Sequence, residues 1–183
     1  MNIVIISGSP RHNGISIRVA LYLKKMFAQE HSVQFINLLE WNLPPMQTVY
    51  NSEENTPMEF RSLRQTMVDA EAFIFVTPEY NGGYSPAMKN LLDHFPKTTY
   101  ARKAVGIVTA SDGMMGGMRA AMQMQQLVCG LFGIPCPQML ITPQVDKKFD
   151  TDGNLLDPSF QRNIDTFYTE FNWLALATHS AKK

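Results

Sequence analysis

The sequence predicts an α/β domain: an open parallel sheet covered by helices on both faces. Three observations carry this. Short apolar runs alternate with amphipathic stretches along the chain. The runs around Ile3-Val4-Ile5-Ile6, Ala72–Val76 and Ala104–Thr109 are continuous rather than alternating, as strands buried on both faces require. The loops that follow them, Gly8–Gly14, Thr77–Ser85 and Ser111–Gly117, are rich in glycine and turn residues.

In chain order, residues 2–7 form the first strand. A helix runs from about Ser16 to Gln29, with Val19, Leu23, Met26 and Phe27 on one face. Ser32–Leu38 is the second strand, and Leu43-Pro44-Pro45 opens a polar stretch reaching about Thr56. Pro57 starts a helix striped by Phe60, Leu63 and Met67. Ala72–Val76 is the third strand and Pro86–Phe95 a short helix. Ala104–Thr109 is the fourth strand. Met118–Phe132 is a helix carrying Ala120, Met124, Leu127 and Leu131, with Gly133 as its stop. Met139–Thr142 is the fifth strand. A last helix from about Pro158 to Ala177 carries Phe160, Ile164, Phe167, Phe171 and Leu174. Crossovers between such strands are right-handed. Ligands of open sheets sit outside the strands' carboxyl ends, so the three unusual loops should meet at one site.

Length and composition set bounds. The 183 residues suit one domain, residues 1–183, and 45% apolar content suffices for a core. Lys plus Arg number 16 and Asp plus Glu number 16, a zero net charge that argues against nucleic-acid binding and a membrane-surface patch. No apolar run approaches the ~20 residues of a membrane span. The N-terminus lacks the basic lead and cleavage site of a signal peptide, so a cytoplasmic location is expected. Cys129 and Cys136 form no CxxC and read as buried thiols, not as an iron–sulfur or zinc site. The four histidines show no ligand spacing, so no metal is expected.

The loop Gly8-Ser9-Pro10-Arg11-His12-Asn13-Gly14-Ile15-Ser16 joins a buried strand to a helix N-terminus, where exposed amides and the helix dipole favour an anion. Ser9, Asn13 and Ser16 add hydrogen-bonding side chains and Arg11 a forked cation. It is neither a Walker A loop nor GxGxxG. An alternative reading is a tight turn with an N-cap serine. In Thr77-Pro78-Glu79-Tyr80-Asn81-Gly82-Gly83-Tyr84-Ser85-Pro86 the glycines allow close approach to a flat ligand and the tyrosines can stack on a ring, or pack at a subunit contact. Ser111-Asp112-Gly113-Met114-Met115-Gly116-Gly117 again places glycines before a helix.

With these loops in order, the chain resembles the NADPH-dependent FMN reductase family, which includes chromate, quinone and azo-dye reductases. The resemblance rests on the Gly8–Arg11 loop, Pro78-Glu79-Tyr80-Asn81 with Lys89-Asn90 and Asp93 after it, and Ser111–Gly117. It implies a flavodoxin-like fold, a five-stranded parallel sheet of order 2-1-3-4-5. By that match Ser9, Arg11, Asn13 and Ser16, with the Ile17 amide, take the FMN phosphate. Pro78, Glu79, Tyr80, Asn81 and Gly82 line the flavin ring, and Ser111 and Gly113 contact its other side. Two positions depart from the pattern: Gly14, where many relatives carry serine, and Ser85-Pro86, where many carry Pro-Gly.

The resemblance implies FMN as cofactor, NADPH or NADH as co-substrate, and a ping-pong cycle. Hydride enters from a nicotinamide, and electrons leave to a flavin, quinone, azo compound or similar small acceptor. No protein nucleophile is needed, and no GxSxG elbow is present. Glu79, the one carboxylate of its loop, is assigned a structural role. Met114, Met118 and Met122 recur every four residues and read as core or subunit packing, the alternative being an acceptor-binding patch. A homodimer or homotetramer is implied by the family. The alternatives are a flavodoxin-type electron carrier, disfavoured by zero net charge, a flavin-binding regulatory module, and a nucleotide hydrolase, which lacks its lysine and metal-binding acids.

Overall fold

The structure, a computed structural model, describes residues 1–181. Its elements are β1 (Asn2–Ser7), α1 (Ser16–Phe27), β2 (Ser32–Asn37), α2 (Arg61–Asp69), β3 (Ala72–Pro78), α3 (Pro86–Asp93), β4 (Ala104–Ala110), α4 (Met118–Gly130), β5 (Ile134–Pro135), β6 (Leu140–Thr142), α5 (Val145–Lys148) and α6 (Gln161–Ser180). Single 3-10 turns at Met58–Phe60 and Pro158–Phe160 lead into α2 and α6, where the sequence predicts continuous helix. Among the described residues no helix is long and apolar enough to cross a membrane.

The strands run in the order β2-β1-β3-β4-β5, all pairs parallel, with β6 also beside β4. The predicted single fifth strand is thus split into two, giving six strands. β5 pairs with Ala104 and Val105, and β6 with Val108–Ala110. Pro135 and Pro137 have no N–H to offer the ladder. Between them the Cys136 amide still reaches the Val105 carbonyl at 2.8 Å.

Alternation along the strands divides the core. Ile3, Ile5, Ile74 and Val108 pack with α1 and α6, while Val4, Ile6, Phe73, Phe75 and Ile107 pack with α2, α3 and α4. The helix after β1 therefore lies on one face, and those after β3 and β4 on the other. This reversal leaves a crevice above the carboxyl ends of β1, β3 and β4.

Two local expectations are corrected. The buried face of α4 is Ala120, Ala121, Met124 and Val128, so Met118 and Met122 point outward and, with Met114, are exposed rather than core. Cys136 is buried but Cys129 is exposed, and burial pushes the Cys136 thiol up.

The stop of α4 also differs. The Gly133 amide reaches the Val128 carbonyl at 3.0 Å and the Phe132 amide the Cys129 carbonyl at 3.0 Å, a Schellman closure. The left-handed position is Phe132, at φ 60°, not Gly133. A side chain with a Cβ is strained there. Phe132 is exposed, and the Lys97 ammonium lies 4.8 Å from the centre of its ring. Phe132→Gly is expected to stabilise the protein by about 0.5–1 kcal/mol, the released strain exceeding the lost cation–π contact. A melting temperature raised by roughly 2 °C would report it; an unchanged or lowered one would show that the Phe132 ring contributes more than its backbone costs.

Candidate functional site

The crevice is a cleft of about 360 Å³ lined by all three loops. Loop one supplies Ser9, Arg11, Asn13, Gly14 and Ile15, loop two Pro78, Glu79, Tyr80 and Asn81, and the end of β4 Ala110, Ser111 and Asp112. The structure thus brings together eight of the predicted positions: Ser9, Arg11, Asn13, Pro78, Glu79, Tyr80, Asn81 and Ser111. Ser16, Ile17, Gly82 and Gly113 do not line it. Gly14, Ile15, Ala110 and Asp112 do, and sequence reasoning did not select them.

Loop one folds back on itself. The Gly14 amide donates to the Arg11 carbonyl at 3.0 Å, and the Arg11 amide donates to Ser9 Oγ at 3.3 Å. Gly14 lets the loop close tightly: a Cβ there would lie 2.5 Å from Ser9 Oγ and 3.1 Å from the Arg11 carbonyl, so a side chain would displace the Ser9 hydroxyl. The departure seen in the sequence thus goes with the close packing of Gly14 on Ser9. Ser9 Oγ and the Tyr80 hydroxyl are hydrogen-bonded at 3.1 Å, and the Arg11 guanidinium lies 4.2 Å from the centre of the Tyr80 ring. These contacts join loops one and two across the cleft.

Loop two is a tight hairpin. The Tyr80 and Gly83 backbones exchange hydrogen bonds of 2.8 and 3.1 Å around Asn81-Gly82, both at positive φ (52° and 84°). Asn-Gly is the pair best suited to such a turn. Ser85 anchors the far end: its hydroxyl donates to the Gly8 carbonyl and accepts from the Met88 amide at 3.0 Å, capping α3. Loop three is held by the Ser111 amide on the Thr142 carbonyl at 3.1 Å and by Gly113 N–H on Ser111 Oγ at 2.9 Å.

Three helices open onto this end of the sheet, and their N-termini differ. Those of α3 and α4 are satisfied internally, α3 by Ser85 and α4 by Glu79. Glu79 Oε2 accepts from the Arg119 and Ala120 amides at 3.1 and 3.3 Å. The N-terminus of α1 has no side-chain cap and no acidic residue in its first turn. Within that turn, the Ser16 hydroxyl is buried with no hydrogen-bond partner among the described residues. Uncapped amides, an orphan hydroxyl and Arg11 thus come together at α1 and at neither of the other helices, an arrangement that favours an anion.

The carboxylate of Glu79 is therefore a tertiary helix cap, in keeping with the structural role assigned to it. Its ion pair with Arg119, at 3.6 Å, adds little because the Arg119 side chain is 72% exposed. Glu79→Ala is expected to cost about 1 kcal/mol in urea unfolding of the flavin-free protein, and Arg119→Ala less than about 0.5 kcal/mol. Equal losses would assign the stabilisation to the ion pair instead.

The family model described as NADPH-dependent FMN reductase matches residues 1–146. A probable NADPH:quinone oxidoreductase 2 of Oryza sativa subsp. japonica is 29% identical, over 96% of this chain and 89% of its own length. An FMN-dependent NADPH-azoreductase of Staphylococcus saprophyticus is 28% identical, over 90% of this chain and 89% of its own. Among solved structures, a flavoenzyme NAD(P)H:(acceptor) oxidoreductase of Paracoccus denitrificans superposes with a TM-score of 0.75 at 20% identity, covering 94% of this chain and 96% of that one; this likeness concerns the fold.

Proposed function

The chain belongs to the NADPH-dependent FMN reductase family, and on that premise we propose that its cleft holds FMN with the phosphate at the N-terminus of α1 and the ring between loops two and three. The observation that carries this is the contrast among the helices: α1 alone of the three is left uncapped, beside Arg11 and above the unpartnered Ser16 hydroxyl. When bound, FMN supplies the redox chemistry, taking hydride from a reduced nicotinamide and passing electrons to an acceptor.

The protein's part is placement. Ser9, Arg11 and Asn13, on the cleft wall, take the phosphate, while Ser16 and the Ile17 amide, which do not line the cleft, support it from the first turn of α1 beneath loop one. Pro78, Tyr80, Asn81 and Gly82 present backbone and ring surface to the flavin, and Glu79 contributes through its main chain because its carboxylate is engaged with α4. Ser111 and Gly113 close the other side, joined by Asp112 and Ala110. The rigidity of loop two, fixed by its turn and by Ser85, sets the width of the cleft.

The same reading takes residues 1–183 as one FMN-binding domain whose acceptor is a flavin, quinone, azo compound or similar small molecule. It places the protein in the cytoplasm, in keeping with two free cysteines. It also takes the protein as a homodimer or homotetramer, for which the exposed Met114, Met115, Met118 and Met122 offer a face. The experiment is spectroscopic. Protein reconstituted with FMN should retain a yellow chromophore through gel filtration, and anaerobic NADPH should bleach it. A retained flavin that stays oxidised with both NADPH and NADH would leave a carrier or binding module, and a protein that retains no flavin would overturn the assignment of the cleft.

A further inference from the structure

A second concavity, of about 500 Å³, lies behind loop one. It is walled by Trp41, Leu43 and three prolines, Pro10, Pro45 and Pro86, with Asn42 bringing an exposed side-chain amide to its rim. Pro10 stands between Ser9 and Arg11, which line the flavin cleft. One turn of loop one is therefore the ridge dividing the two cavities.

The pocket is built rather than incidental. Trp41 is half-buried, and its ring packs tilted at 45° against that of Phe60, the centres 6.4 Å apart. The loop carrying it is clamped to α3 through both amide atoms of Asn90: Nδ2 donates to the Pro44 carbonyl at 2.8 Å, and Oδ1 accepts from the Met46 amide at 2.9 Å. Proline walls have no rotamers to order on binding, so a flat ring meets a preorganised slot. Among the described residues, none that lines it is charged, whereas Arg11, Glu79 and Asp112 line the flavin cleft. The chemistry that fits is a neutral planar heteroaromatic ring, stacked on Trp41 with a polar edge toward Asn42.

We propose that this pocket binds the adenine ring of the reduced nicotinamide dinucleotide, an inference that rests on the reductase reading above. A cleft of 360 Å³ is at the small end of ligand sites, and on the reading above it is given to FMN. The nicotinamide has to reach the flavin, so the adenylate half lies outside the cleft. The linking phosphates then cross the ridge beside Arg11, and the base descends into the Trp41 slot.

Two measurements test this. The chain has two tryptophans, and Trp173 is 67% exposed on α6, away from the pocket. In a Trp173→Phe variant without flavin, 5′-AMP should quench Trp41 fluorescence saturably, and nicotinamide mononucleotide should not. In the FMN-loaded enzyme, the kcat/KM advantage of NADPH over reduced nicotinamide mononucleotide should fall about tenfold in Trp41→Ala and return in Trp41→Phe. Absence of quenching by 5′-AMP, equal quenching by both nucleotides, or an undiminished NADPH advantage in Trp41→Ala would overturn the assignment. Failure of NADPH to bleach the flavin while 5′-AMP still quenches would count against the reductase reading and leave the pocket's base recognition standing.

Discussion

Phe171→Ala is expected to be the most damaging single truncation in this fold, lowering stability by about 3–5 kcal/mol. The reason lies in β4. Gly106 faces α6, and a Cβ there would lie 2.8 Å from Phe167 and 2.9 Å from Phe171. The missing side chain lets the Phe167 and Phe171 rings, 5.9 Å apart and nearly parallel, press onto the sheet. Phe171 also meets Phe27 of α1 edge-on at 5.5 Å, so one fully buried ring joins α6, α1 and β4. Truncation leaves a void that the sheet cannot collapse to fill. Chemical unfolding of the flavin-free protein reads the loss. Gly106→Val, which overfills the same place, should also destabilise, by about 1–3 kcal/mol. A Phe171→Ala loss below about 2 kcal/mol would mean that α6 relaxes onto the sheet.

These residues show what was legible in advance. Phe160, Ile164, Phe167, Phe171 and Leu174 recur at helical spacing; the buried face of α6 is Ile164, Phe167, Phe171 and Ala175, with Phe160 buried in the 3-10 turn before it and Leu174 only partly buried. The buried strands follow their apolar runs just as closely, because a strand covered on both faces tolerates no polar register. Spacing alone does not say which face of a helix is inward. Met114, Met118 and Met122 repeat as regularly as Ala120, Met124 and Val128, yet only the latter meet the sheet. The small Ala120 and Ala121 allow α4 its close approach, a signal weaker by hydropathy than the methionine stripe it outweighs.

The cleft divides in the same way. Ser9, Arg11, Asn13 and loop two were legible because their residue types carry chemistry at a strand-to-helix turn. Ile15 and Ala110 line the cleft through position, which only the register of β1, β3 and β4 reveals. The Ser16 hydroxyl, which the loop's residue types single out, is unpartnered among the described residues but sits beneath the loop instead of on its wall. Glycine takes the left-handed conformation most easily, which makes Gly133 the expected helix stop, yet the strain falls on Phe132. Gly133 is instead held against Val105 and Val128, each 3.1 Å from where its Cβ would lie.

Arg11→Ala is expected to weaken FMN binding by about ten- to hundredfold while leaving the flavin-free protein as stable as the parent. The separation follows from what Arg11 touches. Its guanidinium stacks on the Tyr80 ring at the cleft's surface and makes no buried ion pair among the described residues, so truncation exposes no orphaned charge. The uncapped α1 amides remain in the variant and keep a residual phosphate affinity, which is why the loss stops short of abolition. Arg11→Lys retains the charge but not the fork, and should recover only part of the affinity. Because the site is open to solvent, the gap between parent and Arg11→Ala should narrow as salt rises. Riboflavin, which has the same ring and no phosphate, supplies the decisive comparison: its affinity should be nearly equal in parent and variant. A variant that loses riboflavin and FMN equally would place Arg11 at the ring through Tyr80, and would move the phosphate away from α1.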